Sequence, residues 1–346
     1  VERGEFFQFG WVNVKESGYD LAVVHLGHVY PPDVATIETE REIQRIETEL
    51  VTTSRIPVSG EDWMTATVSV ENVADRTVED VITWDIPDGW RVEPPVRSVS
   101  VEPGATKEYE FRLSNPGRLY PIPEFSFGYP LSDGRVVKTY NAPRVVRRAV
   151  AGRLPRRPVL DGNVTEPCWE RVEPETELYP PYDDARIDDG TEFYFGYDED
   201  YLYLAAVCHD SDMDAVVARA ERDGPVYQDD CVGYFLTPVS ESPVVYQIYF
   251  NAGGVIFDQT ISFTEDGRYV TDRDWDVECD VATHRTFDRW SIEARIPHEE
   301  LGIEPRAGRV VGANFRRKLA QSRGGMADWQ VPIDYEPETF GEIVLH

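Results

Sequence analysis

The feature that most constrains this chain is a repeat of two. Residues 63–70 set Met64, Ala66, Val68 and Val70 on one side and Thr65, Thr67 and Ser69 on the other. Residues 107–113 oppose Tyr109, Phe111 and Leu113 to Glu108, Glu110 and Arg112. Residues 244–250 oppose Val244, Tyr246, Ile248 and Phe250 to Val245, Gln247 and Tyr249, and residues 290–296 oppose Trp290, Ile292, Ala294 and Ile296 to Ser291, Glu293 and Arg295. Side chains of an extended chain point alternately to opposite faces, so each run buries one face and wets the other, as in antiparallel sheets. Turn chemistry separates the runs: Pro87-Asp88-Gly89, Pro103-Gly104, Asn115-Pro116-Gly117, Asp133-Gly134, Asp161-Gly162, Gly253-Gly254 and Asp266-Gly267. Many short strands with Gly/Pro turns predict an all-β protein made of two β-sandwich domains. Residues 37–50 depart from this, since Ile43, Ile46 and Leu50 fall at helical spacing, although the segment also reads as a strand. Short helical turns are expected near residues 214–220 and at His298–Leu301.

Charge narrows the function. The 346 residues carry 34 Lys+Arg against 64 Asp+Glu, a net charge of −30. A nucleic-acid binder needs cations to neutralise phosphates, and docking on anionic lipid needs them too, so both classes are excluded. No apolar run approaches the ~18 residues of a membrane span. Only Lys15, Lys107, Lys138 and Lys318 are lysines. Few lysines among many carboxylates suit a protein of high salt or an extracellular calcium binder, and equally an arginine-rich genome with a solvated acidic face. The chain begins at Val1 without a leader pattern and is expected to be cut from something longer.

A cluster of Arg144, Arg147, Arg148, Arg153, Arg156 and Arg157 with Pro155 and Pro158 marks the expected boundary. The expected organisation is a segment 1–45 (the tail of an upstream module, or added strands), a sandwich over 46–148, a linker at 149–157 and a second sandwich over 158–346. The six histidines show no metal spacing, and there is no Gly-x-Ser-x-Gly elbow or phosphate loop. Among 64 acids no pair stands out for glycoside hydrolysis, so no catalytic site is expected.

Two resemblances sharpen this. Asp85-Ile86-Pro87-Asp88-Gly89-Trp90, followed by Val99-Ser100-Val101-Glu102-Pro103-Gly104 and the strand 107–113, resembles the immunoglobulin-like domains attached to α-galactosidases. It implies a spacer, with Trp63, Trp84 and Trp90 in its core. The second half orders Pro158-Val159-Leu160-Asp161-Gly162-Asn163, Gly196-Tyr197-Asp198-Glu199-Asp200-Tyr201, Tyr227-Gln228-Asp229-Asp230-Cys231-Val232-Gly233, Trp290-Ser291-Ile292-Glu293-Ala294-Arg295 and Val311-Gly312-Ala313-Asn314-Phe315-Arg316. In order and spacing this is similar to the family-nine carbohydrate-binding modules.

That resemblance implies a sandwich that holds a sugar end between two rings, with polar side chains on its hydroxyls. The rings fall on Tyr227 and Tyr335, with Trp329 as an alternative platform or a core residue; Trp169, Trp275 and Trp290 read as core. Two polar positions of the pattern are replaced, the carboxylate by Gly233 and the basic residue by Tyr249. The resemblance also implies structural calcium, for which Asp210, Asp212, Asp214 and Asp223 are the candidate ligands, with Asp229 and Asp230 as contributors. Asp183, Asp184, Asp188 and Asp189 form a second acidic cluster. Cys208 and Cys231, on strands the family pairs, are either bridged or buried thiols. Asn163-Val164-Thr165 is a glycosylation sequon. The expected function is non-catalytic binding of poly- or oligosaccharide, accessory to a secreted glycoside hydrolase or surface protein, with a catalytic domain or self-assembly as partner. The alternatives are a structural or adhesive cell-surface protein and a haem-binding electron-transfer domain.

Overall fold

A computed structural model describes residues 9–15, 18–25, 28–30, 37–58, 63–114, 117–132, 134–182, 185–239, 242–264, 268–331 and 335–346. The expected turn residues Asn115, Pro116, Asp133, Asp266 and Gly267, and the acids Asp183 and Asp184, lie outside the described residues. The chain is nearly all β and divides into two compact units, Val1–Val145 and Val146–His346.

In the first unit, strands Phe9–Lys15, Gly18–His25 and His28–Tyr30 pair with one another as an antiparallel meander. The ambiguous segment after them is helical: an α-helix over Ile37–Arg45 runs into a wider turn over Ile46–Leu50. Ile46 and Leu50, four apart, lie on one helical face and are both buried. Two four-stranded antiparallel sheets follow. One runs Val51–Thr53, Met64–Glu71, Thr106–Ser114, Arg91–Glu93; the other runs Val136–Asn141, Glu124–Pro130, Val78–Asp85, Val96–Val101. The alternating residues meet as expected: Ala66, Val68, Phe111 and Leu113 are fully buried, and Trp84 from the facing sheet contacts Phe111 with ring centroids 5.2 Å apart. Trp90 is buried with its indole N–H donated to the Leu119 carbonyl at 3.2 Å, behind the turn that Gly89 permits at φ 89°. Trp63 departs from the expected core role, since it is half-buried beneath the Arg112 guanidinium, 4.6 Å away.

In the second unit the strands are β1 (Arg148–Arg153), β2 (Thr191–Tyr197), β3 (Tyr201–His209), β4 (Cys231–Thr237), β5 (Val244–Asn251), β6 (Ile256–Phe263), β7 (Tyr269–Asp272), β8 (Asp280–Arg285), β9 (Arg289–Pro297), β10 (Val310–Lys318), β11 (Met326–Asp328) and β12 (Gly341–Leu345). They form one sheet in the order β7-β6-β5-β4-β10-β12-β1-β2-β3-β9-β8, with β11 beside β10. Among the described residues, only the pairs of β1 with β12 and with β2 are parallel. The sheet curls over on itself. Phe193 and Phe195 of β2 meet Phe315 of β10 at 4.7 and 4.9 Å and Tyr234 of β4 at 5.7 and 6.3 Å, so both halves enclose one core.

The expected linker is therefore corrected. Over 148–153 it is the strand at the seam of the two halves, with Ala149 and Ala151 fully buried while Arg148 and Val150 face outward. The expected pairing of the Cys208 and Cys231 strands is also corrected. β3 pairs with β2 and β9, β4 pairs with β5 and β10, and the two thiols are free and point into different clusters. Trp169 and Trp290 are buried and Trp275 is half-buried; the turn at His298–Leu301 is present, and near 214–220 only Met213–Ala215 is helical.

Candidate functional site: a ring-lined sheet face

All seven residues of β4 are buried, so both of its faces are covered. Val232, Tyr234 and Leu236 point into the core between the layers. Cys231, Gly233 and Phe235 point the other way, and the strand registers extend that face into rows. One row reads Lys318, Cys231, Asn251. The next reads Arg316, Gly233, Tyr249, Phe257. The third reads Asn314, Phe235, Gln247, Gln259.

Two segments that cross this face bring in the predicted rings. A short turn over Val226–Gln228 carries Tyr227, and the chain before β12 carries Tyr335 with its backbone at φ 67°. That left-handed conformation is uncommon for a bulky residue and holds only where the surroundings fix it. Tyr227 sits edge-on to Phe257 at 5.3 Å and to Tyr249 at 6.4 Å, while Tyr335 lies against Phe235 at 5.7 Å. Phe235 and Tyr249 complete the row at 5.9 Å. The structure thus brings Tyr227 and Tyr335 to one cluster, both only partly buried, with a floor of three fully packed rings between them.

The two departures from the family pattern are a single local event. Gly233 and Tyr249 face each other across the β4–β5 register. A Cβ on residue 233 would stand 2.5 Å from Cε1 of Tyr249 and 2.8 Å from Cδ1, so the phenol ring occupies the space a carboxylate stem would need. Glycine at 233 is what lets tyrosine lie flat at 249. Burial raises the Tyr249 hydroxyl well above its ordinary range, so it is neutral at every working pH. Arg316, opposite Gly233 on the other side, is held by Asp328 through paired bonds of 2.8 and 2.9 Å, and its remaining nitrogen faces the Tyr249 hydroxyl at 3.5 Å. A guanidinium from β10 thus stands beside the Tyr249 hydroxyl across β4.

Trp329 is not a platform. It is fully buried, stacks on Phe315 at 4.6 Å with 16° between planes, and donates its indole N–H to Glu175 at 2.9 Å, beneath the Arg147 guanidinium. It belongs to the packing beneath the seam.

The acids expected to hold calcium are engaged otherwise. Both oxygens of buried Asp210 accept from Arg323, at 2.9 Å each, and one also accepts from Arg317 at 3.3 Å. Burial alone would raise the Asp210 carboxyl; the two guanidinium groups outweigh it and hold the pKa below its ordinary value. Asp230 accepts from Arg323 and from the Val217 N–H, and Asp229 accepts from the N–H groups of Arg219 and Ala220 and from Asn251. Among the described residues, two groups of three acids converge closely enough for a cation, and neither includes Asp210, Asp212 or Asp214. Asp223 does converge with Asp258 and Asp276, but Arg222 sits among them, 3.1 Å from each of the latter two. The second group, Asp161, Glu166 and Glu293, has Glu293 accepting from the Trp169 indole and from the N–H groups of Asp161 and Gly162. At Asp210, Asp223 and Asp230 an arginine stands where the cation would stand, so these three carboxylates do not fit calcium, while Asp212 and Asp214 are exposed.

Sequence reasoning missed Arg316, Lys318, Phe235 and Phe257. All four are strand residues whose contribution is set by cross-strand register, which no local spacing reveals.

Among solved structures, the chain is similar to one from Bacteroides uniformis ATCC 8492 (15% identity, 58% of this chain and 100% of that chain, TM-score 0.48). It is also similar to a carbohydrate binding module family 9 from Caldicellulosiruptor kristjanssonii in complex with cellotriose (22% identity, 57% and 93% covered, TM-score 0.40) and to one in complex with glucose (21% identity, 57% and 95% covered, TM-score 0.40). No curated protein matches. The curled sandwich, begun by the strand at 148, coincides with the span matched by the profile of the carbohydrate family 9 binding domain-like family, residues 160–346, and with more than half of its length matched the chain belongs to that family.

Proposed function

We propose that the chain is a non-catalytic carbohydrate-binding protein whose second unit seats a sugar on the ring-lined face of β4, β5 and β6. The observation that carries this reading is the row Tyr227, Tyr249, Phe235, Tyr335, with Arg316 at its edge. Sugar C–H faces pack on rings, and the partly buried edges of Tyr227 and Tyr335 leave room for a ring to settle against them. The oriented guanidinium and the tyrosine hydroxyl then supply fixed partners for sugar oxygens. Replacing the carboxylate and base by Gly233 and Tyr249 trades hydroxyl readout for ring area, which fits contact with the flank of a chain as well as with its end. The first unit serves as a spacer, and the whole is accessory to a secreted glycoside hydrolase or a surface protein. Calorimetric titration with cellotriose, glucose and soluble polysaccharides tests the reading. Binding to at least one of them, weakened about tenfold or more in Tyr227→Ala, is expected, since one ring contributes roughly 1.5 kcal/mol or more. Binding that is unchanged in Tyr227→Ala, or absent for every sugar, would overturn it.

A further inference from the structure

The cations on the ring-lined face are unevenly compensated. Asp328 neutralises Arg316, and the Asp229 carboxylate is consumed by backbone N–H groups and Asn251. Lys318 is different. It is half-buried, its ammonium lies 6.0 Å from the Tyr227 ring centre, and among the described residues it has no carboxylate partner. Arg273 lies beyond the other end of the row, 5.9 Å from the Phe257 ring centre, and its only hydrogen bond among the described residues goes to the neutral Gln259. Tyr227 and Phe257 touch at 5.3 Å, so the two cations flank one ring pair.

Withdrawing an ammonium from water without an anion beside it costs free energy, and this chain has acids in large excess with which to compensate it. Asp229 and Asp328, on this face, are both committed elsewhere. On the opposite surface of the same strands the pattern reverses: Asp258, beside Phe257 in sequence, points away and closes on Arg222. Burial also lowers the Lys318 pKa.

Resting on the sugar-binding reading above, we infer that the ligand of this face is an anionic glycan, whose acidic group lies against Lys318 or Arg273 while its ring packs on Tyr227 and Phe257. A carboxylate on a uronic acid and a sulfate ester share this chemistry, and the test separates them.

The experiment measures the affinity of the intact chain for an oligogalacturonate, a sulfated oligosaccharide of similar length and cellotriose, at about 20 mM and about 500 mM sodium chloride. One of the two anionic sugars is expected to bind about tenfold or more tighter than cellotriose at low salt, with the advantage falling to about twofold at high salt. Which one wins assigns carboxylate or sulfate. In K318M/R273Q, where both substitutions keep most of the side-chain volume, the anionic-to-neutral ratio is expected to fall to about twofold even at low salt. Cellotriose binding as tightly as both anionic sugars at low salt, or an unaltered ratio in the double variant, would overturn the inference while leaving sugar binding intact. Absence of binding to all three would overturn the sugar-binding reading, and this inference with it.

Discussion

The compensated pair at 233 and 249 gives the sharpest test of the site's geometry. Gly233→Ala adds one carbon 2.5 Å from Cε1, 2.8 Å from Cδ1 and 2.9 Å from Cζ of Tyr249. The ring cannot swing away, because Phe235, Phe257 and Tyr227 pack around it within 6.4 Å and its hydroxyl faces Arg316. Overpacking of this kind costs about 1–3 kcal/mol. Tyr249→Ala alone removes a buried ring and costs about 3–5 kcal/mol. In the double variant the clash has no partner, so G233A should cost little on the Y249A background. The coupling recovered is then about 1–3 kcal/mol. Urea unfolding followed by tryptophan fluorescence reads the four stabilities, and the second unit's size makes each kcal/mol worth about 2–4 °C in Tm. Additivity within about 0.5 kcal/mol would show that ring and backbone do not contend for the same space.

Other consequences follow from the buried charges. Burial lifts the Glu293 carboxyl to about 7, against the hydrogen bonds from Trp169, Asp161 and Gly162. A folded-state pKa above the unfolded value of about 4.3 means the native state holds this proton more tightly, so stability should fall as pH rises from about 4 to about 7, by about 3–4 kcal/mol, and then level off. Urea midpoints across that window, with Glu293→Gln flattening the slope, check this. Asp210→Asn leaves the fully buried Arg317 without its carboxylate partner, while Arg323 keeps Asp230, and should cost about 3–5 kcal/mol in thermal or chemical unfolding. Chelator should leave the melting midpoint of the wild-type chain unmoved, and a loss restored by added calcium would refute the assignment of that role to arginine. Trp329→Ala strips the stack on Phe315 and the partner of Glu175, at a cost of about 3–5 kcal/mol in the same assay.

What the sequence disclosed, and what it hid, has a physical pattern. The alternation at 64–70, 107–113, 244–250 and 290–296 announced strands because a half-buried sheet needs it. The strand at 148–153 escaped because small alanines fill its buried positions between arginines at both ends, a composition that reads as solvated chain. Tyr227 and Tyr335 could be placed from the ordered motifs around them. Their floor, Phe235, Tyr249 and Phe257, could not be, since only register sets those rings side by side. Alternating acids at 210–214 looked like a cation loop because the real partners of Asp210, Arg317 and Arg323, lie 107 and 113 residues away. Trp329 was ambiguous because an aromatic residue between two charged segments reads the same whether it faces water or core.

The location of the sugar is open to direct observation in crystals of the second unit's parent chain grown with a bound oligosaccharide. The expected electron density lies across Tyr227 and Tyr335, with sugar oxygens on Arg316 and the Tyr249 hydroxyl. Density seated elsewhere, with those two rings untouched, would contradict the site.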